Sequence, residues 1–535
     1  MKKINPEIFW LLVIFLLALT LRIISVFFRE MIRFDEASFL SMAENLLLGK
    51  APYDITGTTT THYSILYPLV TASFAVALRS TTAAAYAVSV LFGALLVLPT
   101  YLFGKVMWNK RVARRATALV AVLPPLVASG SLIDGQSLFA FWLMCALFFG
   151  YRMLFTKRCL CGMLSGTSLG IAYLVDPSAL YYLVVLLPLL VIVGLRQELA
   201  NYANKAAVHF LLMFLIFAIP NVVFMTWQNG AFTLSDRPTD QIHAAVNKLT
   251  AGSLKREQDH YALTPAGELR LNEVRDGNGI FTSFADSPGR FAKAALQRDY
   301  NVFIRNINSL VPVWLLPLIG LGIFRFAWTR REALKYGYFT LALAPLIVLP
   351  VVWGDTRFAI PYLGIVMLGA AKGWLYLEEW GIQSMEEMAG WKSGDARRKW
   401  QVQAAVGTLL LAPLVVMSLW GVARTDYPLE FRQAGERIAE LGIEEPVVMS
   451  REASSAWYAG GSQLVMPYAS IEETLDYGER HGADCLVIHR GITDELRPQL
   501  RPLLDTDNPY LDRLEPVYHS GQGTDEELIV YRFPR

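Results

Sequence analysis

Charge is what this sequence has least of. Asp, Glu, Lys and Arg make up only 18% of its 535 residues, against 54% hydrophobic residues and a mean hydropathy of +0.36. A soluble protein carries roughly a quarter of its residues charged, so the shortage excludes one of ordinary composition and points to the membrane. Cysteine is scarce too. Of the four, Cys145 lies in an apolar run, Cys159 and Cys161 share a basic turn, and Cys485 stands alone near the C-terminus. No pair suggests a disulfide framework, and Cys-Leu-Cys without other soft ligands is a poor metal site, so inert thiols are expected. Internal repeats are missing, and so is a small-x-small cleavage site after the first apolar run, 8–28. That run is too long for a signal-peptide core and reads as an uncleaved first span behind Met1-Lys2-Lys3.

Apolar runs near the ~20 residues that cross a bilayer lie at 8–28, 84–104, 116–133, 136–156, 163–176, 178–195, 206–227, 309–328, 338–353, 358–378 and 401–420. A further run, Ile65–Leu78, is shorter and carries Pro68 and Thr71. The net charge of +2 says little; the places where Lys and Arg fall decide the topology. If Ile65–Leu78 crosses, then Lys105, Lys110, Arg111, Arg114 and Arg115 face outside and every later loop inverts. If it re-enters or lies in the interface, they fall in the cytoplasm with Lys157-Arg158, Arg196, Lys205, Arg330-Arg331, Lys335 and Arg397-Arg398-Lys399. The loops left outside then carry few basic residues near the spans, namely Arg29, Arg33, Lys50, Arg79 and Arg357, and the positive-inside rule selects this second arrangement. The expected fold is an α-helical polytopic membrane protein with about eleven transmembrane helices. It belongs in the inner (plasma) membrane with its N-terminus in the cytoplasm. The outside then holds the loops 29–83 and 228–308, the tail, and the turns bearing Asp134, Asp176 and Asp355-Thr356-Arg357.

The first outer loop opens on Arg33-Phe34-Asp35-Glu36. Apolar Phe39, Met42, Ala43, Leu46 and Leu47 then recur at helical spacing, with Ser38, Ser41, Glu44 and Asn45 between them and Gly49 placed to end the helix. Such a helix lies along a membrane surface rather than through it. Asp35 suits its N-cap and Glu36 its first turn, and a cap leaves one carboxylate oxygen for other work. Asp134 is placed to cap a helix starting at Gln136, and Asp176 before Pro177 is a helix-start pattern. Arg357 has three readings: a partner for Asp355, an interface anchor, or a phosphate ligand. His62 sits in a polar stretch where a histidine is commonly just solvated. Arg22, inside the first span, is read as snorkelling to the outer interface.

These features, in this order, resemble the C-type glycosyltransferases, and within them the protein O-mannosyltransferase and lipid A aminoarabinose transferase branch. The likeness runs from the uncleaved span and the outer Asp35-Glu36 through the amphipathic helix ending at Gly49-Lys50. It continues through Asp134, Leu174-Val-Asp-Pro-Ser-Ala-Leu180 and Asp355-Thr-Arg-Phe-Ala-Ile-Pro361, over roughly the first 420 residues. The resemblance implies transfer of a sugar from a polyprenyl-phosphate donor to a lipid, glycan or protein acceptor at the outer face. It casts Asp35, with Glu36 beside it, as general base, and Arg357 as partner of the donor phosphate. His62, Asp134, Asp176 and Asp355 are the other candidate substrate-binding residues. Phosphate is a competent leaving group, so a base and a cation suffice, which suits an inverting displacement. Two elements depart from the family: His62-Tyr63-Ser64 replaces a Lys-Pro-Pro or His-Pro-Pro, and Asp176 precedes Pro177 where relatives carry a basic residue. No cofactor is expected; adjacent Asp-Glu is not an Asp-x-Asp, which disfavours a required divalent metal. Membrane lipids are expected partners and nucleic acid is not.

The chain divides at about residue 420. From 421 to 535, short β-like runs at 447–450, 485–489, 515–519 and 528–533 alternate with helical patterns at 430–441, 471–481 and 493–504. That is a small extracytoplasmic α/β domain of about 110 residues, long enough to fold alone. The competing reading is a transporter or flippase of lipid-linked sugars. It predicts internal repeats and ionisable residues at mid-membrane depth, whereas the acidic residues here gather at span ends.

Overall fold

The computed structural model describes residues 5–58, 63–156, 158–194, 200–230, 232–234, 258, 261–269, 288–325, 329–346, 356–388, 396–425 and 427–534. His62, Asp355 and most of the loop 228–308 lie outside the described residues. Among the described residues, six helices are long and apolar enough to cross a membrane: Pro6–Phe27, Thr81–Met107, Gln136–Phe155, Asn204–Gln228, Thr356–Met388 and Ala396–Ala423. Shorter apolar helices occupy Leu66–Leu78, Cys159–Val175, Pro177–Leu189 and Val313–Phe324. Among the described residues there are thus six long apolar helices and four short ones, against about eleven spans expected, and one of the short ones, Leu66–Leu78, is the run the charge pattern left out of those spans.

The helices that frame the site are α1 (Pro6–Phe27), α2 (Phe34–Leu47), α3 (Leu66–Leu78), α4 (Thr81–Leu95), α5 (Val97–Met107), α6 (Lys110–Val122), α7 (Pro124–Ser129), α8 (Gln136–Thr156) and α9 (Cys159–Val175). Their bundle has two chemically different ends. At the start of α1, Glu7 binds Lys110 at 2.5 Å and Lys105 at 3.2 Å. Nearby, Arg115 Nε donates to Glu378 at 2.9 Å. At the finish of α1, Arg29 meets Glu36. The basic residues thus gather at one end and the Asp35-Glu36 corner at the other.

The helix α3 packs on α2, where the Tyr67 ring sits edge-on against Phe39 at 5.4 Å. It is 13 residues long, about 20 Å at helical rise. Pro68 falls in its first turn, where a missing N–H costs nothing. Arg79 stops it in the left-handed region at φ +54°.

The expected run 116–133 is not one helix. Pro124 and Pro125 break it into α6 and α7, with Leu123 extended between them. The prolines remove the N–H groups that the Val120 and Ala121 carbonyls would accept. Arg22 replaces them: its guanidinium donates to the Ala121 carbonyl at 3.2 Å and to Ala18 at 3.0 Å, and reaches Val120 at 3.5 Å. Arg22 therefore does not snorkel; it is fully buried. Gly93 and Gly130 make room for it, since a Cβ on either would come within 2.8 Å of its side chain. Ser25 completes the staple by donating to Ser131 at 2.9 Å, which fixes α7 and the turn after it.

Beyond residue 427 a five-stranded sheet forms from β1 (Val447–Ser450), β2 (Ser462–Val465), β3 (Cys485–His489), β4 (Glu515–Ser520) and β5 (Leu528–Arg532). Its order is β2-β1-β3-β5-β4, with β1 parallel to β2 and β3, and β5 antiparallel to β3 and β4. The strand β2 was not expected from the sequence. This unit is anchored to the acidic end of the bundle: Arg432 donates to the Glu30 carbonyl at 2.7 Å and Gln463 N–H to the Ile55 carbonyl at 2.8 Å. A short piece of the loop 228–308 joins the same unit, where Tyr468 N–H donates to the Tyr261 carbonyl at 2.7 Å.

Candidate active site

The N-cap of α2 is Arg33, not Asp35. Glu36 folds back to accept Arg33 N–H at 2.8 Å, which closes the first turn and leaves the Asp35 side chain out of the cap. Glu36 is buried, and its oxygens also accept from Arg29 at 2.5 and 2.7 Å and from Ile133 N–H at 3.1 Å. One carboxylate therefore ties the end of α1, the start of α2 and the turn before α8. Arg29 continues the lattice by donating to the Tyr427 hydroxyl at 3.2 Å.

Asp35 faces the other way, and its side chain is partly exposed. Its Oδ1 accepts from the Tyr63 hydroxyl at 2.9 Å and its Oδ2 from Arg357 Nη1 at 2.6 Å. Arg357 is carried on the 3-10 turn Thr356–Tyr362, whose last residue is anchored by ring contacts with Tyr182 and Phe139 and by a hydrogen bond to Ser178 at 3.4 Å. The guanidinium is 44% exposed, so the pair with Asp35 is one that solvent can reach and another anion can displace.

Asp134 lies at the floor of this end. Its Oδ1 accepts Gln136 N–H at 3.0 Å, the cap that its position predicted. Gly135 turns the chain at φ +66° between Val175 and Tyr67, where a side chain would press on both. Desolvation pushes the Asp134 carboxyl up to about 7; the Gln136 N–H and the Arg357 charge hold it down, and Glu36 raises it further. Asp176 is buried and caps the turn Pro177–Ala179 by accepting Ser178 N–H at 2.8 Å. Ser178 contacts Tyr362, so Asp176 supports the turn that carries Arg357 rather than facing Asp35.

The described residues thus bring Asp35, Arg357 and Asp134 together, and place Glu36 and Asp176 behind them. Sequence reasoning missed Tyr63 as a partner of Asp35, the Arg29–Glu36 pair, and the approach of Glu452 from the C-terminal unit. Glu452 is the second residue after strand β1, and the carboxyl end of a parallel strand is the signal that points to it.

No family model matches the chain, and no curated protein matches it in sequence. Solved structures do. The oligosaccharyltransferase AglB of Archaeoglobus fulgidus superposes with a TM-score of 0.60 at 14% identity, over 92% of this chain and 70% of that one. ArnT of Cupriavidus metallidurans superposes with a TM-score of 0.55 at 14% identity, over 98% of both chains. The chain has the C-type glycosyltransferase fold. Among solved examples of that fold, AglB has been seen with an inhibitory peptide and a dolichol-phosphate, and ArnT with undecaprenyl phosphate. At such low identity the likeness is one of architecture, and the chemistry of this member rests on the residues it places at the acidic end.

Proposed function

We propose that this protein transfers a sugar from a polyprenyl-phosphate donor to a hydroxyl of a lipid, glycan or protein acceptor at the outer face of the inner membrane. The observation that carries the reading is the Asp35–Arg357 contact at 2.6 Å, at the end of the bundle opposite Lys105 and Lys110. By the positive-inside rule the basic end is cytoplasmic and the Asp35 end external, where a lipid-carried sugar is presented.

The two residues divide the work. Arg357 offers a planar fork to two oxygens of the donor phosphate. An exposed ion pair is worth only about 0–1 kcal/mol, so the phosphate draws Arg357 off Asp35 at little cost. That exchange releases Asp35 Oδ2 from Arg357 while Tyr63 still holds Oδ1. Asp35 then takes the proton of the acceptor hydroxyl as its oxygen bonds to the anomeric carbon. The bond from that carbon to the phosphate oxygen breaks in the same step, and polyprenyl phosphate leaves with its charge on Arg357. One base and one leaving group invert the anomeric centre. Glu36 holds the start of α2, and with it Asp35, in place.

Binding of undecaprenyl phosphate to the purified protein in nanodiscs tests the donor half. Arg357→Ala should weaken it about tenfold to a hundredfold, the worth of a charged hydrogen-bond pair. Undiminished binding by that variant refutes the phosphate role.

A further inference from the structure

Open α/β sheets take their ligands at the carboxyl ends of parallel strands, where successive connections leave in opposite directions. In the C-terminal sheet that point is β1, flanked by β2 and β3, both parallel to it. Arg451 and Glu452 leave the end of β1, and His489 ends β3. This edge faces the membrane bundle. The helix Ser454–Tyr458, which begins two residues after Glu452, packs on α2, and its Tyr458 hydroxyl accepts Ile32 N–H at 2.8 Å. The Glu452 carboxylate is half-buried and within electrostatic reach of Asp35, Arg451 and His489. Its backbone carbonyl accepts from Ser450 at 2.7 Å, but its carboxylate takes no hydrogen bond from any described residue. Glu36 accepts from two residues' N–H groups besides Arg29, and Asp134 from one. The Glu452 oxygens, by contrast, are not sealed from solvent, which leaves them open to a donor from a ligand.

We propose that Glu452 is an acceptor-binding residue: its carboxylate receives a second hydroxyl of a sugar acceptor whose reacting hydroxyl faces Asp35. The C-terminal unit then supplies one wall of the acceptor site. A polyhydroxylated acceptor fits better than a cationic one, because Arg357 and Arg451 flank the two carboxylates and offset the field that would draw a cation. This assignment rests on the glycosyl-transfer reading above.

The test uses the full-length protein in nanodiscs, undecaprenyl-phosphate-linked sugars as donors, and glycolipids extracted from cells lacking the protein as acceptors. Glu452→Gln should raise the acceptor KM about tenfold to a hundredfold, the loss of a charged hydrogen bond. The kcat at saturating acceptor and the donor KM should stay unchanged, and Glu452→Asp should recover part of the loss. An unchanged acceptor KM, a rise in donor KM instead, or a loss confined to amine-bearing acceptors overturns the assignment. So does a Glu452→Gln protein that loses kcat and melting temperature together, since that marks a structural residue. A wild-type protein that transfers no sugar from any donor overturns the transfer reading itself, and this one with it.

Discussion

Replacing Glu36 by alanine removes, in one step, the acceptor for Arg29, for Arg33 N–H and for Ile133 N–H. The Arg29 and Glu36 side chains are each 4% exposed, so water does not take over these bonds. Breaking a buried ion pair by deleting one partner costs about 3–5 kcal/mol, much of it from the stranded charge. Arg29 keeps Tyr427 at 3.2 Å, which spares part of that cost. At 1.4 kcal/mol per tenfold, the local opening equilibrium should rise about a hundredfold to a few thousandfold. Hydrogen exchange reads this directly at the Arg33 and Ile133 amides. The Val112 amide, held by Asn109 at 2.9 Å at the opposite end of the bundle, is the internal reference. In Glu36→Ala, exchange at 33 and 133 should accelerate by that factor while Val112 stays unchanged. Glu36→Gln should recover part of the protection, because its side-chain oxygen can still accept from these amides. Acceleration of less than about threefold would refute the lattice as the device that holds Asp35 in place.

The remaining predictions use other parts of the molecule. Asp134 has a folded pKa of about 7, above the ~3.9 of an unfolded Asp, so its contribution to stability is fully present below ~3.9 and is lost as pH rises through about 7. Asp134→Asn keeps a capping side chain and removes the titration; its melting temperature should fall less than that of the wild type between pH 5 and pH 8, and parallel curves would refute the burial argument. Gly322 packs on the helix Leu363–Met388, where an added Cβ would run into the Gly369 carbonyl, whereas Gly320 has nothing within 4 Å. Gly322→Ala should cost about 1–3 kcal/mol of stability and Gly320→Ala none, measured by thermal unfolding in detergent. Arg357→Lys keeps the charge but loses the fork, and should leave sugar transfer between that of the wild type and that of Arg357→Ala.

Much of the architecture was legible because membrane physics writes it in composition. The run Ile65–Leu78 is an example: charge counting removed it from the list of spans, and it folds as a 13-residue helix, shorter than the six long ones. The caps at Asp134 and Asp176 followed from local rules of helix starts. Span length was less legible. Pro124 and Pro125 break 116–133, and the carbonyls they free are satisfied by Arg22, some hundred residues earlier in the chain. Periodicity carries no sign of such a long-range pairing, so Arg22 read as a snorkelling side chain. The same holds for the site. Asp35 and Arg357 were placed on one side by topology alone, but their contact at 2.6 Å spans 322 residues. Which of two adjacent carboxylates meets Arg357 depends on the cap at Arg33, a one-residue shift below what helix-start signals resolve.

The central claim is that Asp35 is the base of a sugar transfer from a polyprenyl-phosphate donor. The most direct test is transfer of radiolabelled sugar from undecaprenyl-phosphate donors to envelope acceptors by the purified wild-type and Asp35→Asn proteins. A correctly folded Asp35→Asn protein should lose about a hundredfold to ten-thousandfold in kcat, the usual share of a general base. Transfer within threefold of wild type by that variant would contradict the account.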